Sequence, residues 1–188
     1  MLAHFRLPSA VGTAALLAAV TLPAAAPLAA QSVAVTPSSL EFFGFRPGAS
    51  LNEVATQVRA LGGGTLRCDR ARMDRRVTEC RGSVSDPDGG GRVALWLSAI
   101  DSVAAVLTLS TDVEPDQLDR WRTNLQDSFG RVGATAQGAQ WMMQWVRSGR
   151  MARLTWRVHK NERVASVSLV DGHVLDGWGR DRSRARGS

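Results

Sequence analysis

Tyrosine is absent from this 188-residue sequence, and lysine occurs once, at Lys160, among 23 basic residues. With so few groups titrating between neutrality and very high pH, a modest excess of arginine carries the isoelectric point to ≈ 11.0. The high value is therefore no sign of a nucleic-acid binder, and nucleic acid is an unfavoured partner. The formal charge is only +6, of which Arg6 holds one and the C-terminal arginines 180, 182, 184 and 186, less Asp181, hold three, so that residues 31–179 carry +2. Basicity belongs to the tail, where it suits weak, salt-sensitive attraction to anionic surfaces.

Cysteine is almost as scarce, with Cys68 and Cys80 alone. Their spacing is not CxxC, and no histidine cluster lies beside them, which argues against redox or zinc chemistry. No cysteine lies near the N-terminal segment, which excludes a lipidated N-terminus, and a single arginine before the apolar run excludes a twin-arginine signal. That N-terminal segment has a charged start at Arg6, an apolar run from Val11 to Leu22 and a small-residue stretch from Pro23 to Ala30. This is the layout of a secretory signal peptide over residues 1–30, too short in its apolar part to span a bilayer. Export to the periplasm or the extracellular space is expected, and with it a Cys68–Cys80 disulfide. No second run of transmembrane length follows.

Residues 31–40 read as an extended leader. At Ser50, followed by Glu53, a capping box opens a helix whose apolar positions Leu51, Val54, Ala55, Val58 and Leu61 recur at helical spacing, with Gly62 as its stop. Strands are expected at 65–70 and 76–84, paired so that 68 opposes 80 and 70 opposes 78 around a turn at Asp74. Ser85 to Gly91 is a loop. Strands at 92–98 and 103–110 follow, with Val93, Leu95 and Leu97 pointing inward. The pattern then restarts: a helix opens at Pro115, carries Leu118, Trp121, Leu125 and Phe129 on one stripe and ends at Gly130. Strands at 139–147, 151–159 and 163–170 complete the second set. The expected fold is α+β: two tandem helix-plus-antiparallel-sheet units at about 41–110 and 111–171, each helix covering one face of its sheet, and one disulfide within a hairpin. Residues 172–188 are expected to form an arginine-rich flexible tail, with Trp178 able to fold back onto the body.

The segment Phe43-Gly44-Phe45-Arg46-Pro47-Gly48-Ala49-Ser50-Leu51-Asn52-Glu53-Val54, with the doubled layout from about Glu41 to Val170, resembles exported tandem helix-and-sheet domains of the SmpA/OmlA and beta-lactamase-inhibitor-protein kind. The resemblance implies a binding domain of the bacterial envelope that uses the sheet face away from its helices. The missing lipidated cysteine and the disulfide inside one hairpin depart from that pattern.

Histidine is too rare to support much chemistry: after export only His159 and His173 remain. A nucleophilic triad could draw on Ser166 or Ser168, His173, and Asp171 or Asp176, but no G-x-S-x-G elbow is present. Asp86-Pro87-Asp88-Gly89 looks like the start of a calcium loop, yet its fifth position is Gly90 and its twelfth is Leu97, so a plain loop is favoured. No residue set holds a metal or a cofactor, and none is expected. Trp121, Trp141, Trp145 and Trp156 lie on apolar stripes and read as core, whereas Trp96 points opposite to Val93, Leu95 and Leu97. Alternation gathers Gln144, Arg153, Thr155, Arg157, Ser166 and Ser168 on the outer face, where guanidinium forks among hydroxyls suit carboxylate, phosphate or acidic peptide. With Trp96 these form the candidate binding face. A non-catalytic exported binding protein for an envelope protein or anionic surface is the favoured function. An exported hydrolase with an unrecognised site and a structural envelope component are the alternatives.

Overall fold

A computed structural model describes residues 39–159 and 162–186, so the expected signal peptide and most of the expected leader lie outside the described residues. Helix α1 spans Leu51–Ala60, and its capping box closes as the sequence requires: Ser50 Oγ accepts from the Glu53 N–H, and the Glu53 carboxylate accepts from the Ser50 N–H. Four strands follow, β1 (Arg67–Arg70), β2 (Val77–Ser85), β3 (Arg92–Ile100) and β4 (Val103–Asp112). Helix α2 (Pro115–Phe129) leads into β5 (Thr135–Gln137), β6 (Gln140–Arg147), β7 (Arg150–His159) and β8 (Glu162–Asp171), and α3 (Gly172–Arg186) follows.

The strands do not form two separate sheets. They join in one eight-stranded antiparallel sheet of order β1-β2-β3-β4-β8-β7-β6-β5, closed at its centre by β4 against β8. The β1–β2 hairpin has the register expected from the cysteines, Cys68 opposite Cys80 and Arg70 opposite Thr78, and the Cys68–Cys80 disulfide crosses it. Tight turns at Asp101-Ser102 and Ser148-Gly149 place both central residues at positive φ, the conformation whose twist matches a two-residue hairpin. Between Ser98 and Ala99 the β3–β4 register shifts, leaving one extra residue on β4.

One face of the sheet carries Val93, Leu95, Leu97, Leu107, Leu109, Met143, Leu154, Val167 and Leu169, all buried in a single core with Val54 and Val58 of α1 and Leu118, Trp121, Leu125 and Phe129 of α2. The leader's last residue belongs to this core: Leu40 is 2% exposed, and Phe42 and Phe43 both meet the Trp121 ring edge-on. The fold therefore begins before Glu41. The loop between β2 and β3 is fastened to α2 by a buried carboxylate. Asp86 accepts from Gln117 Nε2 at 2.7 Å, Trp121 Nε1 at 3.1 Å and its own loop at the Asp88 N–H at 2.8 Å.

Residues 172–186 form a helix, which corrects the expectation of a flexible tail there. Its first turn is capped by Asp171, whose Oδ1 accepts from the Val174 N–H. The other Asp171 oxygen holds Arg150 in an ion pair of 2.7 Å. Burial alone would raise the Asp171 pKa, but Arg150, the Val174 N–H and the neighbouring backbone outweigh it and hold the carboxyl below its usual value. At the far side of the helix, Trp178 does fold back: its Nε1 donates to Asp74 in the β1–β2 turn at 2.8 Å, the principal cause of the lowered Asp74 pKa. Arg76 pairs with both Asp101 and Asp181, tying two turns to α3.

Candidate functional site

The sheet face turned away from α1 and α2 is built by the alternate residues of the same strands, so the two-residue period fixes its composition. Direct cross-strand partners make one transverse row Arg81–Trp96–Thr108–Ser168–Arg153–Gln144, and a second, two residues on, of Ser83–Ala94–Ser110–Ser166–Thr155–Met142. The central positions on β4 and β8 are threonine and serine, and in the first row the flanking ones, Trp96 and Arg153, are larger. The outcome is a shallow trough along the β4–β8 seam. Hydroxyls pair across its floor, Thr108 with Ser168 at 3.0 Å and Thr155 with Ser166 at 2.7 Å. A cavity of ≈ 310 Å³ opens there, lined by Thr108, Ser110, Gln140, Thr155, Arg157 and Ser166 among others.

The sequence-selected residues Trp96, Gln144, Arg153, Thr155, Arg157, Ser166 and Ser168 all lie on this face. Their arrangement differs from a simple cluster in two respects. Arg153 and Arg157 are four residues apart on one strand, hence about 13 Å apart along it, and they occupy different rows. Arg153 is also partly engaged, since its Nε and Nη2 donate to Gln144 Oε1 at 3.0 and 2.7 Å. Arg157 is exposed and has no hydrogen-bond or ion-pair partner among the described residues. Trp96 is half-buried and stays outside the hydrophobic core cluster. Thr108, Ser110, Gln140 and Arg81 belong to the same surface. Their alternation was visible in the sequence, but the β4–β8 pairing that brings them beside Ser166 and Ser168 was not, because it joins segments some 60 residues apart.

The core reading of the tryptophans needs one correction. Trp121 and Trp145 are buried and Trp156 is partly so, but Trp141 is 46% exposed. It points to the helix side, as alternation demands, yet sits beside the three-residue edge strand β5, stacked on Trp156 with ring centroids 6.4 Å apart. Arg122 of α2 lies over the Trp156 ring, so the helix covers the inner member of the pair.

The residues considered for catalysis are not brought together. Ser166 and Ser168 face the trough, while His173 lies in the first turn of α3 with Nε2 2.8 Å from the Ser148 carbonyl oxygen, and Asp171 is paired with Arg150. In the Asp86–Gly89 loop both carboxylates are taken up by α2, Asp86 buried against Gln117 and Trp121, and Asp88, at the surface, accepting from Asn124 Nδ2 at 3.0 Å. Among the described residues no group of three or more His, Cys, Asp or Glu side chains converges as metal ligands would. No family model matches the chain, and comparison with curated proteins and with solved structures returns no match.

Proposed function

We infer that this chain is an exported, non-catalytic binding protein of the bacterial envelope or the secreted space, which recognises an acidic protein surface through its open sheet face. The observation that carries this reading is the sidedness of the sheet. One face is covered by α1 and α2, α3 packs against one end of β3, β4 and β7, and the middle of the other face offers a hydroxyl-floored trough with Trp96 on one bank and Arg153 and Arg157 on the other. Tryptophan and arginine are the side chains that most often dominate protein interfaces, and arginine forks match carboxylates bidentately. Export is supported by the disulfide and by the charged, apolar and small-residue order of the first 30 residues. No helix among the described residues is long and apolar enough to cross a membrane. The strand order reads as the same four-stranded meander from either edge, each meander preceded by a helix, which favours an origin in two tandem units.

The experiment compares partner capture from an envelope extract by the tagged wild-type chain and by Arg153→Ala/Arg157→Ala. Capture should fall at least tenfold while the melting temperature is unchanged, because both side chains stand on the outer face. Equal capture by the double variant refutes the reading.

A further inference from the structure

A second cavity, of ≈ 630 Å³, opens where the segment leading into β1 runs beside β2, and its lining includes Thr65, Arg67, Asp69, Arg81, Ser83 and Arg92. Arg67 and Arg81 stand directly opposite one another in the β1–β2 ladder. Like charges in that relation repel and weaken a sheet unless something lies between them. Neither has an ion-pair or hydrogen-bond partner among the described residues. Arg92 is the third cation. Its guanidinium is fixed by neutral oxygens, the Gly62 carbonyl at 3.1 Å and the Ser83 hydroxyl, so its charge is placed without being cancelled. Ala94 lies opposite Ser83, and these two small side chains keep the space between Arg81 and Arg92 open.

We propose that this cavity binds a phosphate group, with the guanidinium groups of Arg67, Arg81 and Arg92 as charge-assisted donors and the Thr65 and Ser83 hydroxyls beside them. Planar guanidinium forks match the tetrahedral oxygens of phosphate, and Arg92 is already ordered, which lowers the entropy lost on binding. Asp69 shares the lining and leaves a net of two positive charges there, which suits a dianion better than a single carboxylate. An anion seated between Arg67 and Arg81 also removes their mutual repulsion, so binding stabilises the sheet edge by mass action. Free phosphate and the phosphomonoester headgroup of a lipid carry the same chemistry. This site is separate from the trough residues Arg153 and Arg157 and does not rest on the partner reading.

The test has two arms, both on the purified full-length chain at low ionic strength. Calorimetry follows inorganic phosphate, with melting curves in phosphate and in chloride at matched ionic strength, and sedimentation follows vesicles containing phosphatidic acid against phosphatidylcholine alone. Saturable binding in at least one arm is expected, weakened at least tenfold in Arg67→Gln/Arg81→Gln and unchanged in Arg153→Gln. The arm that responds identifies the source of the phosphate. Phosphate should raise the melting temperature of the wild type and not of the double variant, which by itself should melt no lower than wild type. Arg67→Gln alone, on an exposed edge strand, serves if the double variant is unstable. Absence of binding in both arms, or binding equal in wild type and variants, overturns the proposal.

Discussion

Replacing Asp86 by alanine should unfold this domain more readily than any surface substitution, and the size of the effect follows from its contacts. Asp86 is 5% exposed, Gln117 4% and Trp121 0%, and one carboxylate oxygen accepts from both Gln117 Nε2 and Trp121 Nε1. A hydrogen bond to a charged acceptor is worth about 1.5–3 kcal/mol, and a buried donor left without a partner loses about as much. In Asp86→Ala the Trp121 indole N–H is orphaned, Gln117 Nε2 keeps only the Gly90 carbonyl at 3.2 Å, and the Asx turn to Asp88 is lost as well. Against this stands the relief of no longer burying a carboxylate. The net loss should be about 3–4 kcal/mol, a large part of the roughly 5–15 kcal/mol that holds a typical domain together. At about 2–4 °C per kcal/mol for a domain of this length, the melting temperature should fall by about 10 °C. Asp86→Asn, which keeps one oxygen for either the indole and amide or the loop N–H but not both, should lose about half as much. The assay is urea unfolding followed by tryptophan fluorescence, with Trp121 among the reporters. A double-mutant cycle with Gln117→Ala should return a coupling of about 1–2 kcal/mol. If Asp86→Ala shifts stability by less than about 0.5 kcal/mol, the range of an ordinary surface change, the loop is not held as described.

Two further outcomes are expected. Replacing both cysteines, Cys68 and Cys80, by alanine should lower stability by ~3 kcal/mol, the chain entropy of a loop of that size. Adding reductant to the wild type should reproduce the loss, and a variant as stable as the oxidised protein contradicts it. Because the Asp171 pKa is depressed below its usual value of 3.8, the stability it contributes is present above that value and is lost as pH falls through the lower, folded value. Asp171→Asn should therefore be less stable at neutral pH but show a flatter acid limb in melting curves from pH 5 downward. An acid limb of unchanged slope refutes the assignment.

Local rules made much of this fold legible. Ser50 with Glu53, and Pro115 with Gly130, mark helix ends through groups a few residues apart. Cys68 and Cys80 fix a hairpin register because a two-residue period leaves one solution. What escaped the sequence depends on contacts between distant segments. Helix α3 has no continuous apolar stripe and contains Gly172, Gly177 and Gly179, so its propensity is poor. It is held instead by Trp178 on Asp74 and Asp181 on Arg76, each about a hundred residues away in sequence. The fusion of β4 to β8 into one sheet leaves no trace in either strand, since both alternate as any half-buried strand does. Trp141 shows the limit of alternation itself. The period tells which face a side chain takes, but only the length of the covering helix and the shortness of β5 decide whether that face is sealed.

If partners meet the trough and not the helix side, a tryptophan placed on each surface separates the two: Ser166→Trp in the trough floor and Thr123→Trp on the exposed side of α2. With both variants folded, Ser166→Trp should lose capture of envelope partners and Thr123→Trp should capture as the wild type does. The opposite pattern contradicts docking in the trough.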